Sequence, residues 1–434
     1  MPAERVKKME ENMKKLFLMS LVALMCFSLS VFAGGSTEEA GAEKMIVYHW
    51  WTAGGEKEAI DALFQAFLEK HPGLEIVENP VSGGGGGVMR GQIKTMVMAG
   101  NSPDTFQLTY GTGMLGSFGE VLEPIDDLFI NFPIPDMVKE MGQVNGHQVA
   151  VPLNIMRNNC LWYNKKIVDK LDIDPNFANF DEFLAACEKV KKAGYDAFVI
   201  GAGAGQQFWL AQITEQMILG APSGGPDYIT RLYNGEADPA NDAAIYEMFE
   251  FLGKLIEKGY INNDYSALTW DQAADVLMTD KGVFYSMGDW AKGHFTAAGW
   301  QPKVDFDYAV CPGTDGYFSL HFDGFSLIKD APHSEITMKW LEFLTSSEAE
   351  TIFCPLKGAT PPRLDAPIDM YDDISLDILA DFRDPNTKIV QSVFARPPEA
   401  FLGVIGSMLS GFMENPDIEQ GVRDYAAAYA GIYK

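Results

Sequence analysis

The sequence predicts an α/β protein of two doubly wound lobes with a cleft between them, and three observations predict it. Strand and helix signals alternate from residue 45 to residue 109. A second alternating region follows from residue 162. The length, 434 residues, makes two or three domains or one large bilobal body at ~100–200 residues per domain.

The elements follow in order. Residues 45–51 (Met-Ile-Val-Tyr-His-Trp-Trp) read as a buried strand. Residues 56–69 carry Ile60, Leu63, Phe64, Phe67 and Leu68 on one helical stripe, and His71-Pro72-Gly73 stops it. A strand at 74–81, a glycine run at 83–87, a helix near 88–99 and a strand at 104–109 complete a βαβαβ unit, the seed of a parallel sheet. Beyond Trp162-Tyr163, residues 180–192 read as a helix and 197–201 as a strand. Residues 243–258 form an amphipathic helix, with Ile245, Met248, Phe249, Leu252, Leu255 and Ile256 on one face. Strands are expected at 282–287 and 325–328, and a helix at 336–344. Ser347 and Glu350 have capping-box spacing for a further helix, and the chain from about Ile374 reads as mostly helical.

Hydrophobic residues make up 47% and charged residues 21% of the chain, which excludes a predominantly disordered protein. A single long apolar run excludes a polytopic membrane protein. The 33 basic and 60 acidic residues give a formal charge of -27. Phosphate backbones and anionic membranes repel such a chain, so nucleic acid is not an expected partner.

Met13-Lys14-Lys15 opens a basic region, residues 16–32 are apolar, and Val31-Phe32-Ala33 meets Gly34. This is the layout of a secretory signal peptide over residues 1–33, with translation starting at Met13 and cleavage after Ala33. Cys26 follows Met25, where a lipidation signal wants a small residue, so lipid anchoring there is not expected. Residues 34–44 read as a flexible tether. The protein is expected to be exported. Cys160, Cys187, Cys311 and Cys354 are widely spaced without a C-x-x-C, and are expected as buried free thiols.

Ligands of open α/β sheets sit beyond the carboxyl ends of strands. Trp50-Trp51 with Glu56, then Gln107 and Thr109, then Asp289-Trp290, lie at such ends. His321 and Asp323 are expected in the turn before Phe325, and Lys357-Gly358 after the helix near 350. Aromatic faces mixed with carboxylate, amide and ammonium groups suit a pyranose, whose C–H face stacks on a ring while its hydroxyls need donors and acceptors. Consecutive tryptophans are also ordinary core residues. Side chains alternate along a strand, so one of Trp50 and Trp51 is expected to face ligand. Trp162, Trp209 and Trp340 are expected in the core.

Neither glycine-rich stretch is a nucleotide loop: no Gly-Lys-Ser/Thr follows Gly83–Gly87, and Gln206 stands where Gly201-x-Gly203-x-Gly205 would need its last glycine. Both read as loops where backbone approaches backbone or ligand closely. There is no G-x-S-x-G, no H-E-x-x-H and no metal-ligand spacing among the six histidines, so no metal or cofactor is expected. Asp323 and Glu56 could form a glycosidase carboxylate pair, which is defined in space rather than in sequence.

From Met45 to the C-terminus the chain resembles the family 1 extracellular solute-binding proteins of bacterial ABC transporters, most of all their glucose- and mannose-type members. The resemblance rests on Trp50-Trp51 with Glu56, Ser102-Pro103-Asp104-Thr105-Phe106-Gln107, Val151-Pro152-Leu153-Asn154 with Arg157-Asn158, and Trp162-Tyr163-Asn164. It continues through Leu268-Thr269-Trp270-Asp271-Gln272-Ala273, Met287-Gly288-Asp289-Trp290-Ala291 and Pro355-Leu356-Lys357-Gly358. It implies a bilobal periplasmic-binding-protein fold (class II-like), with residues 45–152 and 312–359 in lobe I and 153–311 and 360–434 in lobe II. A hinge including residues 152–154 would close the lobes around a sugar, and an ABC permease would receive it from a monomeric receptor.

The implied ligand-binding residues are Trp50, Trp51, Glu56, Gln107, Trp270, Asp323 and Lys357. Thr109, Met156 and Asp289 join them; Thr109 and Met156 stand where some members place histidines, and segment 393–396 is shorter than theirs. These departures leave the epimer open, and monosaccharide against disaccharide. The alternatives are a secreted glycosidase, or a receptor for an amino acid or polyamine. Lys357 opposes a polyamine, and Arg157 is the one arginine placed near the cleft to hold an amino-acid carboxylate.

Overall fold

The protein is described by a computed structural model covering residues 43–83, 85–203 and 205–433. The expected signal peptide, Cys26 and most of the expected tether lie outside the described residues. Lys44, expected in the tether, instead opens the first strand and pairs with Glu75 at 3.1 Å.

Fourteen strands occur among the described residues. In chain order they are β1 (Lys44–His49), β2 (Glu75–Pro80), β3 (Thr105–Thr109), β4 (Gln143–Val144), β5 (His147–Gln148), β6 (Ala150–Pro152) and β7 (Met156–Arg157). Then come β8 (Cys160–Asn164), β9 (Asp196–Val199), β10 (Gly282–Ser286), β11 (Phe306–Val310), β12 (Tyr317–His321), β13 (Asp323–Leu327) and β14 (Lys388–Gln391).

The first sheet runs β2-β1-β3-β13-β6. Its first three strands are parallel, as the alternation predicts. Strand β13 enters from far along the chain and pairs antiparallel with both β3 and β6, so the sheet is mixed. The second sheet runs β11-β8-β10-β9, and a third runs β14-β12-β7. Strands β6, β7 and β8 belong to three different sheets within fifteen residues of chain, and β12 passes directly into β13. The chain thus crosses between the sheets repeatedly in one narrow region.

Local chemistry explains the helix starts. The Asn179 side chain accepts from the Glu182 amide at 3.0 Å and opens the helix Phe180–Lys192. Ser346, rather than Ser347, caps the helix Ser347–Lys357, accepting from the Ala349 amide at 3.2 Å. Glu350 closes no capping box with Ser347; it is fully buried and accepts from the Arg363 amide at 3.3 Å. Beyond Ile374 the chain is helical at Asp373–Arg383, Ala400–Glu414 and Ile418–Tyr433, interrupted by β14.

Trp340 is buried against Phe64, Phe67 and Phe325, with ring centroids 5.2–5.8 Å apart, and forms the heart of the first sheet's core. Trp162 plays the same part under the second sheet, against Phe295, Phe306 and Tyr308. The four described cysteines are buried free thiols, as expected.

Gly324 sits where β13 meets β6, and a Cβ there would lie 1.9 Å from the Val151 carbonyl oxygen. Gly324→Ala should therefore cost about 2–3 kcal/mol, because the Val151 backbone on one side and the Tyr110 ring, 2.7 Å from the added Cβ, must move. Chemical denaturation measures this, and an unchanged midpoint would contradict the close approach.

Candidate functional site

The antiparallel insertion of β13 builds the site. The carboxyl ends of β1 and β3 and the amino end of β13 meet at one edge of the first sheet. Trp50 follows β1, Thr109 ends β3, and Asp323 begins β13. Asp323 is thus a strand residue and not part of a turn. These three, with Glu56 and Gly85, form one wall of a cavity. Met156, Trp209, Trp270, Trp290, His321, Lys357 and Phe394 form the rest, and the atom-free space inside is about 390 Å³.

Each lining residue has a local cause. Trp50 and Trp51 part as strand alternation requires. Trp50 faces the cavity, while Trp51 is fully buried against Phe353 and Phe325 and does not line it. Trp270 is the first residue of the helix Trp270–Met278, whose start is set by a Thr269/Gln272 capping box. Its amide donates to Gln206 Oε1 at 3.0 Å, and the same oxygen accepts from the Trp209 indole at 3.0 Å. One glutamine amide therefore fixes two walls. The preceding glycines let its loop approach: a Cβ on Gly201 would lie 2.3 Å from the Thr269 carbonyl, and one on Gly203 would lie 2.4 Å from that of Ser266.

Besides Trp51, two expected residues stand elsewhere or act indirectly. Gln107 lies beneath the cavity and does not line it. Its Oε1 accepts from the Trp50 amide at 3.0 Å and its Nε2 donates to Asp323 at 3.2 Å, so it positions both. Asp289 is fully buried outside the cavity, because its carboxylate accepts from the Arg157 amide at 3.0 Å and anchors β7. The next residue, Trp290, takes the place in the wall. Trp209, expected in the core, also lines the cavity, since the helix Phe208–Gly220 starts at its edge. Trp209, Trp290, Phe394 and His321 make one aromatic face, with Trp209–Trp290 centroids at 5.9 Å and Trp290–His321 at 5.3 Å.

Arg157 turns away from the cavity. Met156 lines it, so the next side chain of β7 points to the opposite face. There the guanidinium donates to Asp381, to Asn159 Oδ1 at 3.2 Å and to the Tyr317 carbonyl at 2.9 Å.

The polar wall is tightly coupled. Lys357 donates to Glu56, and its ammonium lies 5.8 Å from the Trp51 ring centroid and 5.7 Å from that of Trp290. Asp323 accepts from Thr109 Oγ1 at 3.0 Å, and its amide donates to Asn154 Oδ1 at 2.9 Å. Burial pushes the Asp323 carboxyl up to about 7; Lys357 and the hydrogen bonds from Thr109 and Gln107 only partly oppose this, and Glu56 adds to it. Burial, then the nearby Lys357 charge, push His321 down to about 3, so its imidazole stays neutral. Among the described residues no group of three or more His, Cys, Asp or Glu gathers to hold a metal.

Residues 53–351 match the model of the bacterial extracellular solute-binding protein family. The chain is 36% identical over 431 residues to an ABC transporter extracellular-binding protein of Pyrococcus horikoshii, covering 95% of this chain and 96% of that one. It is 28% identical to a probable sugar-binding periplasmic protein of Mesorhizobium japonicum, covering 88% and 93%. In three dimensions it resembles a chitin oligosaccharide binding protein, with a TM-score of 0.78 at 16% identity, covering 90% and 98%. The fold is the bilobal periplasmic-binding fold. The chain belongs to the bacterial extracellular solute-binding protein family.

The Asp323 carboxyl has a pH consequence. Its folded value stands above the ordinary 3.8, so between about 4 and 7 the folded state holds a proton that the unfolded chain has released. Its contribution to stability is thus full below about pH 4 and falls as pH rises through 7. Denaturation of Asp323→Asn at pH 5 and pH 8 should show a smaller loss between the two than the wild type. Equal losses would mean that Asp323 titrates in the ordinary range.

Proposed function

We propose that this protein is an extracytoplasmic receptor that captures a sugar by lobe closure and delivers it to the permease of an ABC importer. The observation that carries the reading is the cavity wall itself. Four indoles supply flat apolar faces, and beside them stand an ammonium–carboxylate pair, a buried carboxyl and a neutral imidazole. A sugar ring needs both kinds of surface at once. Hydrogen bonds to charged groups contribute about 1.5–3 kcal/mol each, and a few of them with one stacked indole reach roughly -8 kcal/mol, a micromolar affinity.

The ligand is a monosaccharide such as glucose or mannose. The resemblance of the cavity-lining segments Trp50-Trp51 with Glu56 and Pro355-Leu356-Lys357-Gly358 to those of glucose- and mannose-type receptors supports this. Trp270 and Trp50 serve as stacking faces, with Glu56, Thr109, Asp323 and Lys357 as hydroxyl partners and Met156 filling the wall. Gln107 and Asp289 support from behind, and Trp51 backs Lys357. Residues 45–152 and 312–359 form one lobe and 153–311 and 360–434 the other, hinged at 152–154. The chain acts as an exported monomer, its leader being residues 1–33. The naming of the M. japonicum relative as sugar-binding supports the substrate class.

Two rivals lose their partners. A glycosidase would need Glu56 and Asp323 free to act on a bond, but Glu56 is held by Lys357, while Asp323 accepts from Thr109 and Gln107. An amino-acid receptor would need Arg157 in the cavity, and that guanidinium is committed elsewhere.

A thermal-shift panel of hexoses, pentoses, disaccharides, amino acids and polyamines tests the reading. One or two monosaccharides should raise the melting temperature, since a ligand at about 1,000 times its Kd adds roughly 4 kcal/mol. Trp270→Ala should weaken that binding about tenfold or more while leaving the ligand-free melt unchanged. A response to amines or amino acids alone would overturn the sugar reading, and release of cleavage products from oligosaccharides would favour the enzyme.

A further inference from the structure

One buried cation at the rim of the cavity takes no part in the polar wall described above. Arg90 lies on the helix Gly87–Met98, and its side chain is 3% exposed. Its Nη1 donates to the Gly85 carbonyl at 2.7 Å, and Gly85 lines the cavity. Its guanidinium carbon is 5.9 Å from the Trp50 ring centroid. The adjoining Gly86 is packed so closely on that ring that a Cβ there would lie 2.4 Å from it. Its Nε donates to Glu399 Oε1 at 2.7 Å, and Lys94 donates to the other oxygen of the same carboxylate.

Glu399 ends a segment, residues 392–399, that arrives from the opposite side of the cavity. The segment carries Phe394 into the aromatic wall. It is anchored on its own side by the buried carboxylate of Glu215, which accepts from the Val393 amide, and by Arg396, which donates to Asn234 at 2.8 Å. It meets the first sheet at only a few points. The Gly113 amide donates to the Ala395 carbonyl at 3.2 Å, and Gly111 and Gly113 lack the Cβ that would collide with Ala395 and Pro397. The ion pairs of Glu399 with Arg90 and Lys94 are the charged ones of these contacts, and the Arg90 one is the more deeply buried.

We propose that Arg90 is a positioning residue for the ligand. It holds the Trp50 indole and the Gly85 loop on one side of the cavity and, through Glu399, fastens the segment bearing Phe394 across the opening. The inference rests on the sugar-receptor reading for what is retained, and on the geometry alone for the fastening. A pair of this kind acts mainly on escape: encounter precedes closure, whereas departure requires the two sides to part. With the guanidinium desolvated and the carboxylate held between two cations, the contact is a strong one. Burial alone would raise the Glu399 carboxyl, but Arg90 and Lys94 hold it below its ordinary value.

Because removing a buried arginine endangers folding, the primary variant is Glu399→Gln, which keeps shape and removes charge. Two measurements are made on the full chain. Stopped-flow tryptophan fluorescence with D-glucose, or with D-mannose or D-galactose if D-glucose gives no shift with wild type, reads association and dissociation separately. Dissociation should quicken about tenfold, with association within about twofold of wild type. Arg90→Lys keeps the attraction to Glu399 but cannot also reach Gly85, and should quicken dissociation about threefold. Hydrogen–deuterium exchange without sugar should show residues 85–98 and 392–401 exchanging faster together in Glu399→Gln. Unchanged dissociation with a lowered ligand-free melting temperature would make the pair merely structural and overturn the proposal, as would faster exchange confined to 392–401. If wild type binds none of the three hexoses, the hexose assignment fails while the exchange result still decides the fastening.

Discussion

The site depends on a lysine held where water cannot reach it. Lys357 is 1% exposed, and an isolated ammonium at that depth would carry a penalty of several kcal/mol. Three features offset it. Glu56 is a direct partner, the Trp51 and Trp290 rings face the ammonium with their negative π surfaces, and the lysine ends a helix whose unpaired carbonyls favour a cation. The charge then organises its surroundings. It adds to the burial that keeps His321 neutral, and it partly restrains the rise of Asp323. A ligand rich in hydroxyls requires such a mixture of donors and acceptors close together.

The lysine reaches this place because bare backbone lets three helix ends converge. A Cβ on Gly55 would lie 2.3 Å from the Leu356 carbonyl, one on Gly293 would lie 2.5 Å from that of Lys357, and one on Gly358 would lie 2.5 Å from the Gly293 amide nitrogen. Gly358 also has φ 86°, the left-handed turn that ends the helix and that side chains rarely adopt. The helices Gly54–Lys70, Trp290–Ala297 and Ser347–Lys357 can therefore meet at van der Waals distance of their main chains. Glu56, Trp290 and Lys357 lie at that meeting point.

Much of this was legible in the chain before any coordinates. Strand and helix periods placed β1, β2 and β3, and Trp50, Glu56, Thr109, Trp270, Asp323 and Lys357 all reach one cavity. What sequence could not supply was orientation. Asp289 follows a strand end as expected, whereas Gln107 falls in the middle of β3, and each is drawn to a backbone amide behind the wall, a choice set by tertiary neighbours. The apolar run around Trp209 points to a helix interior, and so to the core. The signal against it was the Gly-x-Gly-x-Gly-Gln loop immediately before, whose Gln206 holds Trp209 and Trp270 together. Trp290 adjoins Asp289 and His321 lies two residues before Asp323, and tertiary packing turns their rings into the wall. Phe394 lies in the 393–396 segment that the resemblance singles out, but only a contact from a distant part of the chain brings its ring to the cavity. The mixed character of the first sheet was likewise hidden, because β13 is inserted from more than 200 residues downstream of β3.

The four buried thiols carry a consequence for how such a chain is made. Burial raises Cys160, Cys187, Cys311 and Cys354 above the ordinary thiol value, Cys311 to about 12. The reactive species is the thiolate, so the folded protein offers nothing for an oxidant to attack. Before folding the same four sulfurs are open, and outside the cytoplasm, where the proposed function puts the protein, oxidising catalysts await any emerging chain. Collapse of the core thus competes in time with mispairing of cysteines. A variant that slows folding without weakening the final structure would be lost as cross-linked material, its yield governed by a race that equilibrium measurements do not register.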